Sequence, residues 1–168
     1  SHLLAEGYSM ADIVVECVTY GTAGMVTTRE FICMAAWHLL DDAALRTRYL
    51  AAPTPERLAI LAEILRLEPV VGHLYRRVRE PFTVTVEGHS LDLDEGDLVD
   101  VCVRDANADS TVVGEEPLAL CPRRPLPAGV DATGLTFGDG AHKCPGQPLA
   151  VAEADALLTR LLALEPTL

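Results

Sequence analysis

The sequence has few basic residues and no long apolar run, and both features narrow the classes of function open to it. Lys and Arg number 13 against 25 Asp and Glu, which gives a formal net charge of -12. Because this field repels phosphate backbones and anionic lipids, we expect neither nucleic acid nor a membrane as a partner. No apolar run approaches the roughly 20 residues of a membrane-spanning helix, and no signal peptide is recognisable. These features predict a cytoplasmic protein.

The cysteines lack the spacing of a zinc ribbon and the even number of a disulfide framework. The five cysteines, none of them in a CxxC pair, are Cys17, Cys33, Cys102, Cys121 and Cys144. At least one thiol is therefore expected to be free.

Helices are predicted at both ends of the chain, and 168 residues that are 49% hydrophobic suffice for one domain with a core. Residues 10–40, which follow Ser9 as N-cap, are apolar on nearly every face, which is typical of a long buried helix. Gly21 and Gly24 in that helix suggest a kink or the close approach of another body. Shorter helices are predicted over residues 41–50, from Thr54 up to Pro69, and over 149–164.

A change of apolar period to two predicts strands in the middle of the chain. Alternation in residues 82–86, 91–93 and 99–103 indicates a small antiparallel sheet, followed by an irregular segment over 104–137. The predicted fold class is therefore mainly α with a small antiparallel sheet (α+β). We divide the chain into a helical part (1–78), a sheet and irregular part (79–125), and a cysteine-bearing loop with the last helix (126–168).

The most specific signal is the segment FGDGAHKCPG, residues 137–146. Its glycines allow a tight turn and close approach to a flat partner, and Cys144 lies just ahead of a helix, where a thiolate is favoured. The segment resembles the cysteine-ligand loop of cytochromes P450 at all six fixed positions of Phe-Gly-x-Gly-x-His-x-Cys-x-Gly. The resemblance implies that Cys144 is the axial ligand of heme b (iron protoporphyrin IX), with His142 at a propionate and Phe137 and Gly138 beside the sulfur.

Further matches follow the family's order along the chain. Glu63 and Arg66, which share a helix face, resemble the family's Glu-x-x-Arg pair, which locks to an arginine before the cysteine loop. Arg124 is the best candidate for that arginine, and Arg123 is the next. The resemblance also implies that Arg76 pairs with a heme propionate. The segment 106–109 is similar to the family's Ala-Asn-Arg-Asp, with alanine in place of the arginine.

The long helix carries a third match, at residues 23–28 (AGMVTT), which is similar to the family's oxygen-binding pattern Ala-Gly-x-(Asp/Glu)-Thr-Thr. By this resemblance Ala23 and Gly24 open a groove over the heme, and Thr27 takes part in proton delivery. Val26 stands where the family has an acid, and a valine can neither accept nor release a proton. Gly24 and Thr27 are therefore the candidate catalytic residues of this helix.

The resemblance identifies the chain as a partial cytochrome P450 domain that runs from the oxygen-binding helix to the helix after the cysteine loop. It implies a bacterial-type heme-thiolate monooxygenase that acts on a small organic substrate with electrons from a ferredoxin or flavin reductase. Lys143, Arg123 and Arg124 form a candidate basic patch for that partner. The N-terminal P450 segment is expected as another chain or segment, or the protein is a truncated module. A peroxide-using variant and a non-catalytic helper protein are the alternatives.

Overall fold

The structure is a computed structural model that describes residues 2–86 and 88–166. Its helices are α1 (His2–Ala5), α2 (Met10–Asp41), α3 (Ala43–Ala51), α4 (Thr54–Leu67), α5 (Val103–Asn107), α6 (Ser110–Val113) and α7 (Gln147–Leu162). The strands are β1 (His73–Arg77), β2 (Phe82–Val86), β3 (His89–Leu93) and β4 (Leu98–Cys102). The predicted class, mainly helical with short antiparallel strands, is confirmed.

The helices begin where capping chemistry favours a start. At α2 the Ser9 side chain accepts from the amide of Asp12, whose carboxylate accepts in return from the Ser9 amide, so a complete capping box is formed. Asp42 caps α3 by accepting from two amides, and Pro55 stands in the first turn of α4, where a missing N–H costs nothing. These local signals explain why the predicted helix starts agree with the structure to within a few residues.

The core lies where α2, α3, α4 and α7 pack against one another. Its buried members are Phe31, Ala35 and Leu39 of α2, Tyr49 of α3, Ile60, Leu61, Ile64 and Leu65 of α4, and Ala154, Leu158 and Leu162 of α7. Within α2 and α7 they recur every four residues, the spacing of one helix face. Burial of each large apolar side chain contributes about 1.5–3 kcal/mol, so this four-helix contact is the main source of stability.

The expectation that α2 is buried along its whole length is wrong for the described chain. Only its C-terminal part carries buried residues, whereas Val14, Val18 and Met25 are more than half exposed. Within the described residues, no atom beyond the helix's own backbone lies within 4 Å of the Cβ that Gly21 or Gly24 would carry, so no described segment approaches either glycine. The apolar face of α2 extends beyond the elements that pack on it. Within residues 2–86 and 88–166 no helix is long and apolar enough to cross a bilayer.

The strands form two separate two-stranded antiparallel sheets, which corrects the predicted single sheet. β2 pairs with β3, and β4 pairs with β1, a strand that the sequence did not indicate. The segment HLYRR of β1 carries only one half-buried position, Leu74, and thus has no apolar alternation. Its hydrogen bonds to β4 bring Arg76 opposite Val99.

A buried polar cluster fastens α7 to α3 and α4. The Tyr49 hydroxyl donates to Asp155 Oδ1 at 2.7 Å, and Arg57 donates through Nε and Nη2 to the two carboxylate oxygens at 2.8 Å each. Hydrogen bonds from Arg57 lower the pKa of Asp155 despite the opposing effect of burial, while burial raises the pKa of Tyr49. The carboxylate therefore remains charged in the folded protein at neutral pH.

The substitution Asp155→Asn should lower the free energy of unfolding by about 2 kcal/mol near neutral pH, because Arg57 then faces a neutral amide. The folded-state pKa of Asp155 lies below the ordinary value of 3.8. The contribution of the carboxylate is thus present above that value and is lost as the pH falls through the folded pKa. Urea unfolding should show the difference between the two proteins shrinking in acid. A comparable loss in Asp105→Asn, at an exposed residue, would contradict this reading.

Candidate functional site

A buried ion pair on α4 forms the base of the site. Glu63 and Arg66 are 3% and 1% exposed, and the guanidinium donates to both carboxylate oxygens, at 2.7 and 3.1 Å. The i, i+3 spacing puts the two side chains on one face of the helix, as the sequence predicts. The remaining Arg66 nitrogen, Nη1, donates to the carbonyls of Asn107 and Pro117, each at 2.8 Å. One side chain thus holds two distant points of the irregular segment against α4.

Arg124 lies beside the same carboxylate. Its Nε is 3.6 Å from Glu63 Oε2, an ion pair slightly longer than a hydrogen bond. Its other nitrogens donate at 2.8–3.1 Å to the carbonyls of residues 113, 115, 116 and 119. Arg123 is exposed, and the described ion pairs of Glu63 are with Arg66 and Arg124. Of the two candidate arginines, Arg124 is therefore the one that meets Glu63.

The cysteine loop connects the irregular segment to α7. The Cys144 amide donates to the Phe137 carbonyl at 2.8 Å, which closes the loop across seven residues. Gly138 has a φ of 69°, and a Cβ there would lie 3.5 Å from the His142 carbonyl, so a residue free to adopt left-handed backbone suits this turn. The Cys144 side chain is exposed and stands three residues before α7.

An open cavity brings the loop together with α2 and β1. It encloses about 750 Å³ including its open side. Its wall contains Thr27, Arg76, Phe137, Gly138, His142 and Cys144, six of the predicted site residues, together with Thr28, Phe31, Leu65, Val70, Val71, Leu74, Thr136 and Ala150. The wall is mostly apolar, with Arg76 and His142 as its basic side chains. A flat apolar group with acidic edges and an open metal position fits these residues, because Cys144 supplies a soft sulfur ligand.

Ala23 and Gly24 do not line this cavity. The Thr27 hydroxyl, one turn further along α2, donates to the Ala23 carbonyl at 2.6 Å, and its lone pairs remain available as acceptors. A Cβ on Gly24 would meet no atom within 4 Å. Val26 is 53% exposed, and the described residues that line the cavity include no Asp or Glu. The described wall therefore has hydroxyl groups on its α2 side and no acid.

Two of the three cations in the predicted basic patch near the thiol are paired with acidic side chains. The Lys143 ammonium lies 2.7 Å from Asp131 Oδ2, and Arg124 is buried at Glu63. Burial opposes ionisation of Asp131, but the hydrogen bonds from Lys143, Thr133 and Gln147 outweigh it and lower the pKa of Asp131 to about 2. Of the three predicted cations, Arg123 is the exposed one that no acidic group engages in the structure. The expectation of a patch of three cations is corrected accordingly.

Comparison with known proteins agrees with the fold and the cavity. The family model described as Cytochrome P450 matches residues 58–164. Human steroid 21-hydroxylase is 39% identical over 105 residues, which are 62% of this chain and 20% of that protein. The chain belongs to the cytochrome P450 family, whose members bind heme b through a cysteine thiolate.

Solved bacterial structures extend the likeness to nearly the whole chain. CYP109E1 from Bacillus megaterium, in complex with corticosterone, matches with a TM-score of 0.77 and 28% identity over 93% of this chain and 39% of that one. CYP109B1 from Bacillus subtilis matches with a TM-score of 0.77 and 28% identity over 95% of this chain and 41% of that one. The chain thus spans about a fifth of the human relative and about two fifths of the bacterial structures.

Several residues of the site carry no signal in the sequence. Thr136 lines the cavity, yet its hydroxyl is committed to the Leu65 carbonyl at 2.7 Å. Asp131 holds Lys143, the residue just before Cys144, and Gln147 at the start of α7. These contacts join residues distant in sequence, so no local spacing could have indicated them. A buried asparagine inside a segment similar to a family motif, Asn107, was the one available hint.

The substitution Glu63→Gln should lower the free energy of unfolding by about 3–5 kcal/mol, because Arg66 keeps its charge in a buried site without a counter-charge. Glu56→Gln, on the same helix, is the matched control, since Glu56 pairs with the half-exposed Arg48 at 2.8 Å. That change should cost less than about 1 kcal/mol. Urea unfolding of the wild type and the two variants measures both effects. Equal losses in the two variants would show that the buried ion pair contributes no more to the free energy of unfolding than the exposed one.

Proposed function

We propose that this chain is the heme-binding part of a heme-thiolate monooxygenase that inserts one oxygen atom from dioxygen into a small lipophilic molecule. The observation that carries the proposal is the apolar cavity that joins Cys144, Arg76 and His142 to the threonines of α2. The family membership of residues 58–164 supports the same reading. The relatives' names give steroids as the first substrates to test, since one is a steroid hydroxylase and another was solved with corticosterone.

The predicted site residues that line the cavity have distinct roles in this proposal. Heme b, when bound, supplies the iron at which dioxygen is reduced. Cys144 would supply the thiolate ligand of the iron, while Arg76 and His142 would bind the propionates as charge-assisted donors. Phe137 and Gly138 would shield the sulfur from water, a factor that tunes the electronic character of a metal ligand.

The α2 side of the cavity would supply the polar groups for proton handling. Thr27, whose lone pairs are free to accept, would hold a water or a proton donor there. The Ala23 carbonyl accepts a hydrogen bond from that hydroxyl and so orients it. Gly24, which has no side chain, would leave space on this face of α2. Electrons would come from a ferredoxin or a flavin reductase, and other P450 segments would cover the cavity.

Cys144→Ser should abolish the reduced carbon monoxide band at about 450 nm that reports a thiolate ligand. The purified chain is titrated with hemin, alone and together with any polypeptide that co-purifies, and the spectrum of each variant is recorded. Cys33→Ser, at an exposed cysteine that does not line the cavity, is the control and should keep the band. Circular dichroism verifies that both variants fold. The proposal fails if the wild-type chain takes up no hemin or gives no such band.

A peroxide-using variant is the second candidate, and the observation that favours it is Val26 in a site whose described wall has no carboxylate. Reduction of dioxygen by an electron donor consumes protons, which a carboxylate next to Thr27 could relay. Hydrogen peroxide brings its own protons and both oxidising equivalents. The two readings therefore differ in which oxidant supports turnover.

Val26→Asp distinguishes these candidates. If the wild-type chain uses peroxide, the change should raise product formation with a ferredoxin and its reductase by at least about tenfold and leave peroxide-driven formation nearly unchanged, because it adds a carboxylate that can relay protons. If the wild-type chain already uses dioxygen and an electron donor, the change should alter donor-driven formation little. Val15→Asp, an exposed position about three turns earlier on α2, is the control for added charge. Corticosterone and testosterone serve as probes, with product measured by mass spectrometry. Efficient donor-driven turnover by the wild-type chain would contradict the peroxide reading.

A further inference from the structure

Asn107, at the end of α5, connects parts of the chain that are distant in sequence. It is 2% exposed. Its side-chain nitrogen donates to the Arg66 carbonyl at 3.0 Å, to the Thr136 hydroxyl at 3.1 Å and to the Thr133 carbonyl at 3.5 Å. Its Oδ1 accepts from the Leu135 amide at 2.6 Å. Both ends of the amide are therefore committed between α4 and the segment 133–136.

The backbone at Gly134 lies directly against this side chain. It has a φ of 59°, and a Cβ built on it would lie 2.2 Å from Asn107 Oδ1 and 2.6 Å from Cγ. Such distances are far inside van der Waals contact, so any other residue would displace either the amide or the backbone of the segment. The backbone and the Asn107 side chain thus fit each other at contact distance.

The fixed segment leads directly into the cysteine loop. Thr136, which accepts from Asn107, donates its own hydroxyl to the Leu65 carbonyl at 2.7 Å. Phe137 follows, and its carbonyl accepts from the Cys144 amide at 2.8 Å. Hydrogen bonds therefore connect the end of α4 through Asn107 to Thr136, and from the next residue, Phe137, to the backbone of Cys144.

We infer that Asn107 is a positioning residue for Cys144: it sets the place of the cysteine loop relative to α4, and so the place of the sulfur in the cavity. The effect on a bound heme rests on the proposed function. The effect on the loop itself does not, and it can be measured without heme.

Hydrogen–deuterium exchange of the full chain without heme tests the first effect. In Asn107→Ala the amides of Leu135 and Cys144 should exchange about tenfold faster, the change expected when a buried hydrogen bond is lost. Amides in the middle of α7, such as that of Leu158, should keep their rates. An unchanged rate at Cys144 would overturn the inference.

Two further variants separate positioning from general destabilisation. Thr136→Val removes one hydroxyl at nearly constant volume, so it should give the same pattern with a smaller increase, about threefold. Tyr49→Phe removes a buried hydrogen bond in the distant cluster around Asp155 and should leave the exchange of Cys144 unchanged. Equal acceleration at Cys144 in Tyr49→Phe would show that lowered stability, and not Asn107, governs the loop.

Heme loading tests the second effect. With hemin bound, Asn107→Ala should lose most of the band at about 450 nm, Thr136→Val part of it, and Tyr49→Phe none. Faster exchange at Cys144 with a full band in Asn107→Ala would overturn the role of Asn107 in placing the sulfur. If the wild-type chain gives no band while the exchange pattern holds, the proposed function fails and the positioning of the loop stands.

Discussion

The rest of this structure depends on the ion pairs that the buried Glu63 carboxylate makes with Arg66 and Arg124. The chain between β4 and α7 has little regular structure, so its backbone carbonyls need donors other than a helix or sheet ladder. Arg66 and Arg124 supply those donors, and together they reach carbonyls at positions 107, 113, 115, 116, 117 and 119. Burial of two guanidinium groups is costly unless they are paired. Glu63 offsets that cost, so one side chain keeps both anchors in place.

The cavity follows from this attachment. Once the irregular segment is fixed against α4, its continuation enters the cysteine loop beside Leu65, and the core contact between α2 and α4 sets the opposite wall with Thr27. β1, which is held by its pairing with β4, adds Arg76 to the wall. The residues that would hold a cofactor thus come from separate parts of the chain. Ion pairs and hydrogen bonds position the irregular segment, apolar packing positions α2, and strand pairing positions β1.

Local chemistry made much of this predictable from the sequence. The i, i+3 pair on α4 and the Ser9 N-cap of α2 depend on neighbours in the chain, and both are present as expected. Pairings over long separations were not predictable, which is why β1 and the fit between Asn107 and Gly134 were missed. The exposure of α2 was missed for a different reason. An apolar helix face predicts that something covers the helix, but it does not indicate which chain or segment does so.

In the proposed function, the electrostatics near the thiol constrain how an electron donor would dock. A pKa of about 2 for Asp131 means that its ion pair with Lys143 persists across the neutral range. A partner that attracts Lys143 by charge must therefore displace an existing carboxylate, and the net gain is smaller than for a free cation. With a net charge of -12 on the chain, an acidic partner also meets long-range repulsion. Recognition of such a donor beside Cys144 would then depend on shape more than on a broad basic surface.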